Sequence, residues 1–218
     1  MIFIIARTLF LPQLCSIIIL KPHIMRTTKT IIKPLLSLLF LFVFSTPVVY
    51  SQTLNLNNQA SKLSVSGTSS LHDWEIVAEQ LKGQITIESA NELSIKALSL
   101  EVTSESLKSG KSGMDKNTYK ALKTNQHKTI NFQFTEVKEI KSTGNNTYKA
   151  EVIGNLTIAG VTKKTNIHFN LQSASNKVTL TGEKAFKMSE YGITPPKALL
   201  GTVTTGDEIT IKFTTEYK

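Results

Sequence analysis

The residues that first suggest chemistry lie in one short string, Ser69-Ser70-Leu71-His72-Asp73-Trp74. Ser70, His72 and Asp73 are the types a hydrolytic triad needs, but neighbouring side chains on a strand point to opposite faces. His72 and Asp73 then cannot orient each other as a triad requires, and there is no Gly-x-Ser-x-Gly elbow. A hydrogen-bonded turn supporting Trp74 is the simpler expectation. His72, His127 and His168 lack the close spacing of metal-ligand motifs, although a barrel can bring two such positions together. Cys15 is the only cysteine and falls in a segment expected to be removed, so disulfides, thiolate nucleophiles and cysteine metal sites drop out. No catalytic residue, metal or cofactor is expected.

The charge has two sources. The chain carries 25 Lys and Arg against 16 Asp and Glu, a formal net charge of +9. Five of the basic residues (Arg7, Lys21, Arg26, Lys29, Lys33) precede Gln52, where there is no Asp or Glu, so the remainder carries only +4. That remainder has no arginine, the residue whose bidentate fork reads phosphates and base edges. Nucleic acid is therefore not the expected partner, and the scattered lysines read as a solvated face.

Residues 25–51 have the form of a secretory signal peptide. Arg26, Lys29 and Lys33 make a basic start, Leu35 to Phe44 an apolar run, and Val49 and Ser51 a small-residue cleavage site. The mature chain is expected to begin at Gln52, placing it in the periplasm or outside the cell. Residues 1–24 read as an upstream extension or mis-assigned start. The alternative is an N-terminal membrane helix, although Arg7, Pro12 and Gln13 interrupt its apolar run. The string Leu11-Pro12-Gln13-Leu14-Cys15 lacks the small residues expected before a lipidated cysteine.

From Gln52 onward the sequence alternates, which is the signature of strands. Leu63/Val65, Trp74/Ile76, Ile85/Ile87, Ile130/Phe132/Phe134, Ile167/Phe169/Leu171 and Ile209/Ile211/Phe213 each keep one parity. Gly67-Thr68-Ser69 and Ser142 to Asn146 read as turns, and Gly154 as a bend or a close approach within a long strand. Around Ala97 the parity slips, which predicts a bulge. Met114 to Lys123 departs from the pattern: Met114, Thr118, Tyr119 and Leu122 predict one face of a short helix. Eight or nine strands joined by short turns predict a barrel or a sandwich, and closure removes exposed edges. An eight-stranded barrel has room for side chains or one slender ligand.

Trp74, Phe132, Phe134, Phe169, Phe186, Met188 and Phe213 are candidates for lining such an interior. Tyr119 and Leu122 are candidates for covering its opening and gating access. The same residues would equally make a solid core, and residue chemistry alone favours that reading.

Several strings carry a family resemblance. Gly154-Asn155-Leu156-Thr157-Ile158-Ala159-Gly160-Val161-Thr162-Lys163 resembles the G-x-L-T-I-x-G-V-T-K hairpin of the YceI-like family. Ser112 to Lys123 is similar to that family's helical insertion, and Lys128-Thr129-Ile130-Asn131-Phe132 resembles the strand after it. Gly67 to Trp74, and Lys187 to Glu208 with Gly192-Ile193-Thr194-Pro195-Pro196, resemble a branch with an HDW strand and a G-I-x-P-P loop. The matches run from Ser61 to Phe213. The resemblance implies a lipocalin-like antiparallel eight-stranded barrel, extended by a helix, over 52–218. It also implies a non-catalytic protein that carries or sequesters a long-chain isoprenoid or related lipid in the periplasm. Met114-Asp115-Lys116 keeps the acid of the family's Arg-Asp pair and lacks the arginine. A prenyl unit buries roughly 3–4 kcal/mol at about 0.8 kcal/mol per CH₂, so a long chain binds without a charged clamp. The rival reading is a ligand-free interaction or stress-protective β domain with a filled core.

Overall fold

The computed structural model describes residues 50–89 and 93–218. The upstream extension and nearly all of the expected signal peptide (residues 1–49) lie outside the described residues. Among the described residues twelve strands form one antiparallel sheet: β1 (Tyr50–Asn55), β2 (Lys62–Ser69), β3 (Trp74–Ala78), β4 (Leu81–Ser89), β5 (Leu93–Thr103), β6 (Leu107–Lys108), β7 (Thr129–Gly144), β8 (Thr147–Ile158), β9 (Val161–Ala174), β10 (Lys177–Lys187), β11 (Lys197–Ala198) and β12 (Val203–Tyr217). Helix α1 (Ser112–Leu122) stands between β6 and β7.

The sheet curls on itself in the order β1-β4-β5-β7-β8-β9-β10-β12-β2-β3-β6, with β11 against β12. Its ends meet in two places. The residues after β1 bridge to the end of β12, where Asn55 and Lys218 exchange backbone bonds of 3.1 and 2.9 Å. Elsewhere β2, β3 and β6 fill the gap, and Glu79 N–H donates to the Ser106 carbonyl at 3.0 Å beside the β3–β6 pair. The fold is the lipocalin-like barrel that the resemblance implies, and it decides between the barrel and the sandwich that the alternation left open. β6 and β11, two residues each, have no periodic signal of their own.

The register explains several sequence features. The parity slip at Ala97 is a bulge: Thr86 pairs with Ala97 but Ile87 with Ile95, leaving Lys96 extra. Asn145 and Asn146 both take positive φ, as do Ala159 and Gly160, so β7–β8 and β8–β9 close through two-residue turns that match strand twist. Gly67 is no turn. It sits inside β2 opposite Trp74, and the chain reverses at Ser70 to Asp73 instead. His72 and Asp73 therefore lie on a loop, not on a strand. The expected cleavage after Ser51 would fall within β1 and would leave Leu54, which is buried, in place.

Candidate functional site

Inside the barrel is a cavity of about 740 Å³ with a predominantly apolar lining. Its size falls within the usual range for small-molecule pockets, about 300–1,000 Å³. Inward parity on β2, β3, β5, β7, β9, β10 and β12 supplies the wall: Leu63 and Val65, Trp74 and Ile76, Leu98 and Leu100, Ile130 and Phe132, Ile167 and Phe169, Leu180 and Phe186, Ile211 and Phe213.

Three of the aromatic rings are held away from the barrel axis. A Cβ placed on Gly67 would collide with the ring of Trp74, one on Gly154 with the ring of Phe132, and one on Gly182 with the ring of Phe213. Each ring therefore lies along the wall over a glycine of a neighbouring strand. Trp74 is fixed there by Nε1–H donating to the Thr68 carbonyl at 2.9 Å. This arrangement turns a ring of aromatic residues into a lining with space between its walls.

Of the nine predicted residues, Trp74, Leu122, Phe132, Phe169, Phe186, Met188 and Phe213 line the cavity, and Tyr119 and Phe134 do not. The helix face that closes over the cavity is Met114, Asn117, Thr118, Ala121 and Leu122, the i, i+3, i+4, i+7, i+8 set of a single stripe. Tyr119 is one residue further round. Its hydroxyl contacts the Glu105 and Leu107 carbonyls (2.9 and 3.1 Å) and accepts from Lys108 Nζ (2.7 Å), whose ammonium lies 5.2 Å from the ring centroid. That hydroxyl raises the Lys108 pKa. Asp115 accepts from Ser109 N–H and Oγ, which together hold its carboxyl below the usual carboxylate range. Tyr119 is thus an anchor for α1 rather than part of its inner face. Phe134 shares the parity of Phe132, but the Phe132 ring leans over Gly154, the residue opposite Phe134, leaving Phe134 half-buried against the core.

Sequence reasoning missed the polar end-points of the cavity. Tyr217 and Thr215 lie at its deep end, and burial pushes the Tyr217 phenol up to about 12. Lys111, Lys184 and Lys197 also contribute to the lining, with no Asp or Glu among the described residues that form it. Lys184 runs its stem along the wall where β9 and β10 cease to pair beyond His168 and Glu183, and donates to Asn166 Oδ1 at 3.3 Å. Its position between Gly182 and Phe186 on the inward parity of β10 was the available signal. Above the cavity, the Met188–Tyr191 turn is pinned by Ser189, whose N–H and Oγ donate to Asp207 at 2.8 and 2.5 Å and lower the Asp207 pKa.

The Ser-His-Asp string has other employment. Ser69 Oγ donates to the His72 carbonyl (2.7 Å), His72 Nδ1 donates to the Asp73 carbonyl (2.7 Å), and Ser70 Oγ accepts from Thr204 N–H (3.1 Å). These bonds shape the β2–β3 loop. Among the described residues, no three of His, Cys, Asp or Glu are grouped so as to hold a metal ion. No helix among them is long and apolar enough to cross a membrane.

A curled antiparallel barrel closed by a helix around an apolar cavity defines a lipocalin-like binding architecture. The family model of the YceI-like domain matches residues 54–217, and the chain belongs to that family, whose members are binding proteins. No curated protein matches the chain. Among solved structures, BcnA of Burkholderia cenocepacia is similar at 17% identity and a TM-score of 0.61, over 75% of this chain and 99% of that one. A polyisoprenoid binding domain from Saccharophagus degradans, implicated in plant cell wall breakdown, is similar at 14% identity and a TM-score of 0.59, over 76% and 97%. At these identities the likeness shows the shared fold.

Proposed function

We propose that this protein is a non-catalytic carrier or sequestering protein for a long-chain isoprenoid or related lipid, acting in the periplasm after export by the signal in residues 25–51. The observation that carries this reading is the apolar cavity of about 740 Å³, with aromatic rings laid against glycines so that an elongated apolar chain has room along the axis. Family membership, and the polyisoprenoid named for the Saccharophagus degradans domain, support the choice of ligand class. Seven of the lining residues expected from sequence (Trp74, Leu122, Phe132, Phe169, Phe186, Met188 and Phe213) are the proposed chain contacts. Burial of apolar surface drives binding, and three or four prenyl units offer on the order of 10–15 kcal/mol before ordering costs are subtracted.

Native mass spectrometry of protein purified with its own lipids, followed by organic extraction, tests this reading. A co-purified long-chain apolar molecule is the expected result. Repeated isolation of folded protein with no bound lipid supports the rival, a ligand-free β domain. N-terminal sequencing of exported protein is expected to begin at or within a few residues of Gln52, and recovery of residues 26–50 in the mature protein overturns the export step.

A further inference from the structure

Three large hydrophobic side chains stand exposed among the described residues: Leu71 at 67%, Val161 at 36% and Leu200 at 108%. All three are at the same end of the barrel, the end that carries α1. Leu71 is on the β2–β3 loop and lines the cavity mouth, Val161 begins β9 at the β8–β9 turn, and Leu200 sits in the hairpin joining β11 to β12. The two leucine-bearing loops are fastened together. Ser70 N–H donates to the Thr204 carbonyl at 2.9 Å, and Thr204 N–H to Ser70 Oγ at 3.1 Å.

Leu200 is unusual twice over. Its φ of 57° and ψ of 28° are left-handed, a conformation bulky residues rarely adopt, and its side chain points wholly into solvent. Folding alone gives no reason to hold a leucine there. At the same mouth, Lys111 and Lys197 line the opening with no carboxylate partner among the described residues. Asp73 is the one acid on the Leu71 loop.

We propose that this rim is a docking face for an anionic lipid bilayer. Leu71 and Leu200 dip into the interface, Lys111 and Lys197 meet negatively charged headgroups, and the cavity mouth is brought against the membrane. A lipid would then pass between bilayer and barrel without crossing water. The inference rests on the carrier reading for its purpose but not for its test, because the rim is measured with vesicles and the cavity by its bound lipid.

The test is co-sedimentation of the full mature protein with vesicles of phosphatidylcholine alone and with added phosphatidylglycerol. The wild type is expected to bind the anionic vesicles, less so as salt is raised, and to leave the neutral ones largely unbound. Leu71→Ser and Leu200→Ser are each expected to weaken that binding roughly ten-fold, since each withdraws one leucine from the apolar phase. Leu200→Gly separates docking from folding: glycine accepts the left-handed backbone, so its melting temperature holds or rises while vesicle binding falls. Equal binding by wild type and both leucine variants overturns the proposal. So does binding that ignores vesicle charge, or a concentration-dependent dimer, lost in these variants, that forms in place of vesicle binding. Vesicle binding by a protein that never retains lipid would sink the carrier reading and leave the docking face standing.

Discussion

A single strand, β10, passes through both regimes of the barrel interior. Near the Asn145–Asn146 turn, Val178 has no exposed surface and packs with Ile85, Val152 and Leu171, equally sealed, into a solid aliphatic plug. Further along the same face of β10 come Leu180, Gly182, Lys184 and Phe186, and three of these four line an open cavity. Parity does not change between the two regions, although β10 parts from β9 beyond Glu183. The side chains change as well: branched aliphatics fill one half, whereas in the other large rings lie over glycines of neighbouring strands. A barrel is filled or hollow according to whether its aromatic residues have a glycine to lean on.

Leu171→Ala probes the plug and carries the largest expected effect. It should leave a void that the sealed neighbours cannot fill, costing about 2–5 kcal/mol by denaturant unfolding, equally in lipid-free and lipid-bound protein. Gly67→Ala probes the hollow half. The atoms nearest an added Cβ all belong to the Trp74 ring, so the ring must swing into the cavity. We expect a cost of about 1–3 kcal/mol together with reduced lipid occupancy by native mass spectrometry. A stability loss with occupancy unchanged would mean that the space beside Trp74 is not used by a ligand.

Tyr119→Phe sits between the regions. It keeps the ring and deletes the hydroxyl that ties α1 to Lys108, Glu105 and Leu107, at about 1 kcal/mol. Lipid exchange is expected to quicken while the amount bound at saturation stays the same. Unaltered exchange kinetics would assign the helix a structural role only.

The smallest effects are electrostatic. The phenol of Tyr217 ionises near 12 when folded but near 10 in an unfolded chain. Below pH 10 both states keep the proton and its contribution is intact; between 10 and 12 only the unfolded chain ionises, so stability should fall. Tyr217→Phe should flatten that alkaline limb of the stability profile. Asp115, Asp207, Glu151 and Glu216 are held below their usual values by hydrogen-bond partners. Their contribution is present above about pH 4 and lost as pH falls further, with a small share each because all four are solvent-accessible.

Much of the architecture was legible because period-2 alternation writes sheet faces directly into the sequence. Phe132, Phe169, Phe186 and Phe213 announce an inward face, and the slip at Ala97 announces the bulge at Lys96. Which inward residues border empty space was not legible. That depends on cross-strand partners: Phe134 reads like Phe132 until Gly154 is seen to lie opposite it and beneath the Phe132 ring. Tyr119 was misplaced for a simpler reason, since neighbouring positions on a helix differ by about 100° and its hydroxyl sought carbonyls outside the cavity. Gly67 looked like a turn because glycine has two uses, reversal and close approach, and only the position of Trp74 decides between them.

Trp74 is the only tryptophan in the chain and forms part of the cavity wall, so its emission reports whether a lipid enters the barrel. Delipidated protein should be titrated with a long-chain isoprenoid while emission and unfolding temperature are followed together. The expected result is a blue shift that saturates at one ligand per barrel, with a melting temperature that rises with free ligand. Unchanged emission and an unchanged melting temperature in correctly folded protein would contradict it, and the interior would then be closed to a lipid.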